Sequence, residues 1–200
     1  MTDSNHSLSE VANLFEFFRA ELSSAFEKLG LTTSNQTEKY LVNLLENFVR
    51  PDERTAEEIG FDRPAAFILG DALQGAGDRR IEAYRRLGDA SLFSCGFFED
   101  RLDRRDSVVP LKYYRNMGRS AYSSLESLMK FKAPGGAFHL IYDELSAKFD
   151  VFVEAFQLLA NHRDTPSYST LVKQWQKNGE IDVAAWNQVD GFPGTSGGDA

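Results

Sequence analysis

The chain has 200 residues, of which 42% are hydrophobic and 16 are Phe, and its formal net charge at pH 7 is −8. This acidity argues against a nucleic-acid-binding module, which normally carries a basic stripe or patch. The single cysteine excludes an internal disulfide framework and a multi-cysteine metal site, and favours a reducing compartment.

Two features of the apolar pattern bear on targeting. Residues 1–9 are polar and lack the basic region and apolar stretch of a secretory signal. No run approaches about 18 consecutive apolar residues, so we expect no transmembrane helix. We therefore expect a cytoplasmic protein with no nucleic-acid partner and no membrane contact.

The first two predicted elements are amphipathic helices. Ser7 and Glu10 form a capping-box pattern, and apolar residues spaced by three and four then continue to a stop at Gly30. A second helix is predicted from Asn35, with its own apolar stripe, and Pro51 ends it. A charged loop is expected before the third helix.

The middle of the chain predicts three more helices. Pro64, in a favoured first-turn position, begins the third, which ends near Gly75. The fourth is predicted at about 78–98, and a very polar connector follows it. The fifth begins around Pro110 and ends at the break in 132–136.

The last third predicts a long sixth helix at about 137–160, a seventh at 166–177 and one short helix at 182–189. The predicted fold is all-α, a single-domain bundle or array of about seven helices with no sheet. The expected organisation is a flexible N-terminus at 1–7, one helical domain at 8–190 and a flexible Gly-rich tail at 191–200.

Small residues mark one face of the fourth and of the fifth predicted helix. Gly88 and Cys95 are seven residues apart, and Gly118 and Ala121 lie on the apolar stripe of the next helix. A glycine inside a helix costs about 1 kcal/mol relative to alanine, so a packing advantage has to offset it. We expect an antiparallel seam in which these two helices approach closely.

Polar residues beside this seam form the candidate site. Asp89 has Arg85 within helical reach, and with Tyr114 and Tyr122 it predicts either a structural ion pair or a polar pocket. The structural ion pair is the favoured interpretation. Cys95 belongs to the candidate pocket, although a free cysteine on an apolar face usually behaves as a small hydrophobe.

Motifs of known chemistry are absent from the sequence. It contains no Glu-x-x-His pair, no His-Glu-x-x-His, no Cys-x-x-Cys and no phosphate-binding glycine loop. We predict no catalytic residue and no cofactor. The remaining metal or haem candidate is His139, beside Phe138, and a lone histidine in such a setting is more often structural.

The pattern Leu-Gly-Asp-x-x-Leu-Phe-x-x-Gly-Phe-Phe at 87–98 is followed by Tyr113-Tyr114 and Gly118-x-x-Ala121-Tyr122. Together these segments resemble a family of uncharacterised bacterial all-helical proteins, and the resemblance extends over most of the chain. It implies a bacterial cytoplasmic origin. The family has no established activity, so the resemblance implies no functional residue.

Three functions are open at this point. The first is a non-enzymatic protein that acts through protein–protein contacts, as an accessory or regulatory partner or as a homodimer, with Phe17 and Trp186 as candidates for an exposed patch. The second is a small-molecule pocket or enzyme between the fourth and fifth helices. The third is haem or metal binding through His139.

Overall fold

The computed structural model describes residues 4–49, 65–99, 111–133 and 136–161, and within these ranges the chain is helical with no strand. The all-α prediction is confirmed. The helices in these ranges are α1 (Ser4–Leu29), α2 (Asn35–Val49), α3 (Ala65–Gln74), α4 (Gly77–Phe97), α5 (Leu111–Lys132), α6 (Phe138–Ala147) and α7 (Phe149–Ala160).

Local signals explain where the first two helices start and end. Gly30, at φ 60°, ends α1, and the Leu31 amide donates to the Phe26 carbonyl at 2.8 Å in the pattern of a Schellman cap. At the start of α2, the Thr37 amide donates to the Ser34 hydroxyl at 3.2 Å, so Ser34 is the N-cap. Helix α1 begins at Ser4, three residues ahead of the predicted N-cap Ser7.

The predicted sixth helix is two helices. Lys148, with φ −107° and ψ 19°, separates α6 from α7. Its ammonium donates to the Thr32 carbonyl at 2.5 Å and to Glu144 at 2.8 Å, which ties the bend to the α1–α2 turn. The apolar spacing continues across the bend without Pro or Gly, so the sequence carries no signal for it. The predictions at 166–177, 182–189 and 191–200 lie outside the described residues.

The helices pack around α4, which contacts α5 most extensively. Lys132 pairs with Asp78 at one end of this pair and Arg115 pairs with Glu99 at 3.7 Å at the other, so α4 and α5 are antiparallel. Helix α6 returns antiparallel to α5, while α7 covers α4 from another side. Helix α1 packs against α2 and α7, and α3 packs against α4. None of the described helices has the length and apolarity needed to cross a membrane.

The core is aromatic, as the Phe content predicts. Phe93 of α4 stacks on Phe48 of α2 at 4.0 Å between ring centroids and on Phe97 at 4.4 Å. Phe97 in turn meets Phe156 of α7 at 5.7 Å. This row of rings joins three helices, and offset aromatic pairs contribute about 1 kcal/mol each beyond the area they bury.

Helices α4 and α5 approach closely at the predicted glycine seam, and aromatic rings pack against its glycines. A Cβ at Gly88 would lie 2.6 Å from the Tyr122 ring of α5, and a Cβ at Gly118 would lie 2.7 Å from the Ser91 Cβ of α4. Gly96, a third small position, faces the Phe156 side chain of α7 instead. Each glycine is therefore required by close contact with a neighbouring side chain.

Candidate functional site

Asp89 is the centre of a buried hydrogen-bond network. One of its carboxylate oxygens accepts from the Tyr40 hydroxyl at 2.6 Å and from the Tyr122 hydroxyl at 2.8 Å. The other accepts from the Arg85 guanidinium at 3.1 Å. Since these residues come from α2, α4 and α5, one carboxylate connects three helices. The residue itself is only 7% exposed.

Arg85 lies between two carboxylates on its own helix. Its Nε and Nη2 donate to the two oxygens of Glu82 at 3.1 and 2.5 Å, while Nη1 reaches Asp89. The side chain is 34% exposed, so this ion-pair chain leads from the buried Asp89 to the surface. The ion pair of Asp89 and Arg85 expected from their i, i+4 spacing is confirmed.

Two members of the network were not predicted from the sequence. Tyr40 is separated from Asp89 by 49 residues, and Tyr142 of α6 meets the rings of Tyr40 and Tyr122 at 5.8 and 6.2 Å. Both tyrosines occupy the apolar stripes of their helices. One feature of the sequence could have indicated these two tyrosines. A tyrosine on a buried stripe needs a hydrogen-bond partner for its hydroxyl, and a buried Asp89 is an acceptor.

The electrostatics of the cluster follow from burial. Burial raises the pKa of Asp89 above its ordinary value, against the opposing effects of Arg85 and the two tyrosine hydroxyls. Burial and the nearby Asp89 also raise the pKa of Tyr40 and Tyr122 well above the ordinary tyrosine value. The tyrosines are therefore neutral donors at physiological pH, and neither is activated as a base or nucleophile.

The network leaves little space for a ligand. The Tyr122 ring lies directly against Gly88, where even a methyl group would not fit. Both carboxylate oxygens of Asp89 already have partners. Two surface grooves of the described residues are not lined by Asp89, Arg85 or the tyrosines that bond to Asp89. The polar side chains thus face one another, an arrangement suited to holding helices in register.

Two residues of the candidate pocket lie apart from this cluster. Tyr114 is partly buried two turns before Tyr122, about 12 Å along the helix, and its ring meets Tyr113 edge-on. Cys95 lies six residues beyond Asp89, near α7, where the Gln157 amide donates to its carbonyl at 3.5 Å. Burial raises the pKa of the Cys95 thiol to about 12, so the thiolate that a nucleophile requires is disfavoured.

His139 lies near the start of α6, where its Nδ1 is 2.6 Å from the Gly136 carbonyl oxygen. That hydrogen bond places a proton on Nδ1 and fixes the ring against the helix start. Within the part of the chain that the structure describes, no group of three His, Cys, Asp or Glu side chains is arranged to hold a metal ion. Binding of haem or a metal through His139 remains a prediction.

A shallow open groove of about 340 Å³ runs between α3, α4 and α5, and we name it the α5 groove. Apolar side chains and tyrosines make most of its wall, with small polar residues of α5 among them. Its lining consists of Leu69, Tyr84, Leu87, Tyr113, Asn116, Met117, Ser120, Ala121 and Ser124. No charged residue is among them, in a chain with 26% charged residues.

A second groove, of about 700 Å³, lies on the other side of α3 and differs in charge. Its wall includes Asp71, Asp78 and Glu82 together with Arg79 and Arg86. Arg86 lies 3.5 Å from Glu82, so part of this charge is paired within the wall. The second groove therefore presents both signs of charge.

Of the two residues predicted for an exposed aromatic patch, only Phe17 lies within the described residues, and it is not exposed. Phe17 is partly buried and packs edge-on against Phe18 at 5.5 Å, and Trp186 lies outside the described residues. Phe17 is therefore not an exposed patch, because the core extends to its position on α1. The most exposed large apolar side chain described is Phe131, at 89%, near the end of α5.

No family model, curated protein or solved structure matches this chain.

Proposed function

We propose that this protein is non-enzymatic and acts through protein–protein contacts, with a second copy of the chain as the partner at the α5 groove. The observation that carries the proposal is the uncharged, largely apolar lining of that groove in a chain with 26% charged residues. Interface centres are depleted in charged residues and enriched in Tyr and Met, and this lining has that composition.

The shape of the groove also supports a protein partner. It is open and shallow, whereas small-molecule sites are concave and enclose most of the ligand. Tyr113, 43% exposed, stands at its edge and offers a large amphipathic side chain at low entropic cost. Because a two-fold interface uses the same patch twice, the groove and Tyr113 of each copy would contact the same features of the other.

The two alternative functions have less support. A pocket or enzyme centred on Asp89 needs space and an unpaired polar group, while both oxygens of Asp89 have partners and Gly88 is covered by a ring. A metal or haem centre at His139 needs further ligands near the ring. An absorption spectrum of the purified protein tests that third possibility directly.

The proposal is tested by placing a charge in the groove. Ser120 is an exposed lining residue of α5, so Ser120→Arg adds a long cation there without entering the core. A buried, unpaired charge is strongly disfavoured in an interface centre, so we expect the dimer to weaken by at least about tenfold. Sedimentation velocity over a range of concentrations measures the dissociation constant.

The matched control is Ser24→Arg, the same change at an exposed position of α1, a helix that packs against α2 and α7. We expect this variant to dimerise like the original protein. A chain that sediments as a monomer at all accessible concentrations would contradict the proposal, as would equal weakening by both substitutions.

A further inference from the structure

The outer face of α3 carries large apolar side chains that the described chain leaves mostly in solvent. Phe67 and Leu73 are 62% and 61% exposed. They stand three residues before and three residues after Gly70, so the three positions follow one i, i+3 row of the helix surface. No heavy atom lies within 4 Å of a Cβ built on Gly70, so this row is open along its length. We name Phe67, Gly70 and Leu73 the α3 ridge.

The opposite face of α3 explains why the ridge points outward. Ile68 and Ala72, one turn apart, are buried in the core, where α3 packs against α4. Asp71, the one charged residue of α3, lines the second groove. The ridge is therefore an uncharged apolar surface on a helix that other residues already fix to the core.

The α3 ridge borders the α5 groove. Leu69 of α3 is part of the groove wall, and Leu73 follows Leu69 by one turn on the same side of the helix. A convex apolar surface and a concave one therefore lie side by side on the same face of the molecule. No charged residue belongs to the groove lining or to the ridge.

The groove by itself is small for the interface of a stable dimer. Nine residues line it, whereas stable interfaces use about 20 to 30 residues and about 800 Å² of surface on each partner. Surface next to the groove therefore has to take part in the contact. The α3 ridge is continuous with the groove wall and offers two large exposed apolar side chains.

We propose that the α3 ridge of each copy occupies the α5 groove of the other copy. This inference rests on the proposed dimerisation through that groove and names what fills it. A two-fold axis between ridge and groove exchanges the two features, so each ridge meets the partner's groove in a self-complementary contact. Apolar side chains of a helix that enter an uncharged groove are a recurring mode of recognition, and their burial favours association.

The test changes the ridge and the groove in separate chains and then mixes the two variants. Leu73→Asp places a charge on the ridge without entering the core, and we expect its homodimer to weaken by at least about tenfold, as for Ser120→Arg. In the mixed dimer, the introduced carboxylate of one chain faces the introduced guanidinium of the other, and the second ridge and groove are unchanged. The mixed dimer should therefore be at least about tenfold tighter than either homodimer.

Salt provides a second measurement on the mixed dimer. Its affinity should fall more steeply with salt than that of the original dimer, because the Debye length decreases from about 10 Å at 0.1 M to about 3 Å at 1 M. Sedimentation velocity, with a fluorescent label on one chain of each mixture, measures the dissociation constants. All replaced side chains are exposed, so circular dichroism should show an unchanged fold.

The matched control is Leu140→Asp, the same change at a leucine of α6 that is 59% exposed. This variant should dimerise like the original protein and should not restore the association of Ser120→Arg.

Three results would overturn the inference and leave the groove proposal in place. They are an undiminished Leu73→Asp dimer beside a weakened Ser120→Arg dimer, a mixture no tighter than the separate variants, and equal weakening by Leu140→Asp and Leu73→Asp. A monomeric original chain, or a Ser120→Arg variant that dimerises fully, would instead overturn the groove proposal itself.

Discussion

Asp89 shows how a single residue organises the centre of this fold. Its carboxylate accepts from one arginine of its own helix and from two tyrosines of helices that are distant in sequence. A buried carboxylate without partners would be strongly unfavourable, and so would the buried Tyr122 hydroxyl without an acceptor. Asp89 and the two tyrosines, Tyr40 and Tyr122, therefore depend on one another for their hydrogen bonds.

Replacing this carboxylate should destabilise the protein measurably. Asp89→Ala leaves the Tyr40 and Tyr122 hydroxyls without their acceptor and Arg85 with Glu82 alone, and we expect a loss of about 2 to 3 kcal/mol in the free energy of unfolding. Urea denaturation measures it, with Asp143→Ala, at an exposed position of α6, as the control. A gain in stability would instead indicate that Asp89 is retained for function at the expense of stability.

At the scale of the helices, packing decides which small residues matter. Gly88 of α4 makes room for the Tyr122 ring of α5, and Gly118 of α5 makes room for the Ser91 side chain of α4. Gly96 of α4 makes room for the Phe156 side chain of α7. Gly70 of α3 has an open surrounding, with no heavy atom within 4 Å of a built Cβ. The sequence pattern treats these positions alike, and only the neighbouring helix distinguishes them.

Alanine substitutions at two helical glycines should therefore change the free energy of unfolding in opposite directions. Gly88→Ala places a methyl group 2.6 Å from the Tyr122 ring, and we expect a loss of about 1 to 3 kcal/mol because the ring has to move. Gly70→Ala gains helix propensity without a clash, and we expect a gain of about 0.5 to 1 kcal/mol. Thermal or urea unfolding measures both. Stabilisation by both substitutions would contradict the seam.

At the scale of the whole molecule, polar links connect parts that the core alone does not fix. Glu144 of α6 accepts from the Thr37 hydroxyl at 2.7 Å and from the Ser34 amide at 3.2 Å, at the start of α2. Lys148 adds a hydrogen bond at 2.8 Å and continues to the α1–α2 turn. One carboxylate thus joins the N-terminal helices to the C-terminal half of the described structure.

This link should give the protein a specific sensitivity to acid. Burial alone would raise the pKa of Glu144, but hydrogen bonds from Lys148, Thr37 and Ser34 outweigh it and lower the pKa from 4.5 to about 2. Because the folded state holds the charged form, the stabilisation is complete above pH 4.5 and is lost as the pH falls toward 2.

Comparison of unfolding free energies between the original protein and Glu144→Gln checks this effect. The variant should be less stable at neutral pH, and the difference should shrink between pH 4.5 and 2. Glu154→Gln, at an exposed position of α7, should leave the profile unchanged. A difference that stays constant with pH would contradict the link.

The sequence by itself determined the all-α fold, most helix ends, the glycine seam and the pairing of Asp89 with Arg85. These depend on helical periodicity, on caps such as Gly30, and on spacings of three, four or seven residues, which are local. Only the tertiary structure brought Tyr40 and Tyr142 to Asp89, separated Cys95 and Tyr114 from it, bent the chain at Lys148 and covered Phe17. Contacts between distant segments decide these features, because a helical stripe defines a buried face without specifying the residue it will meet.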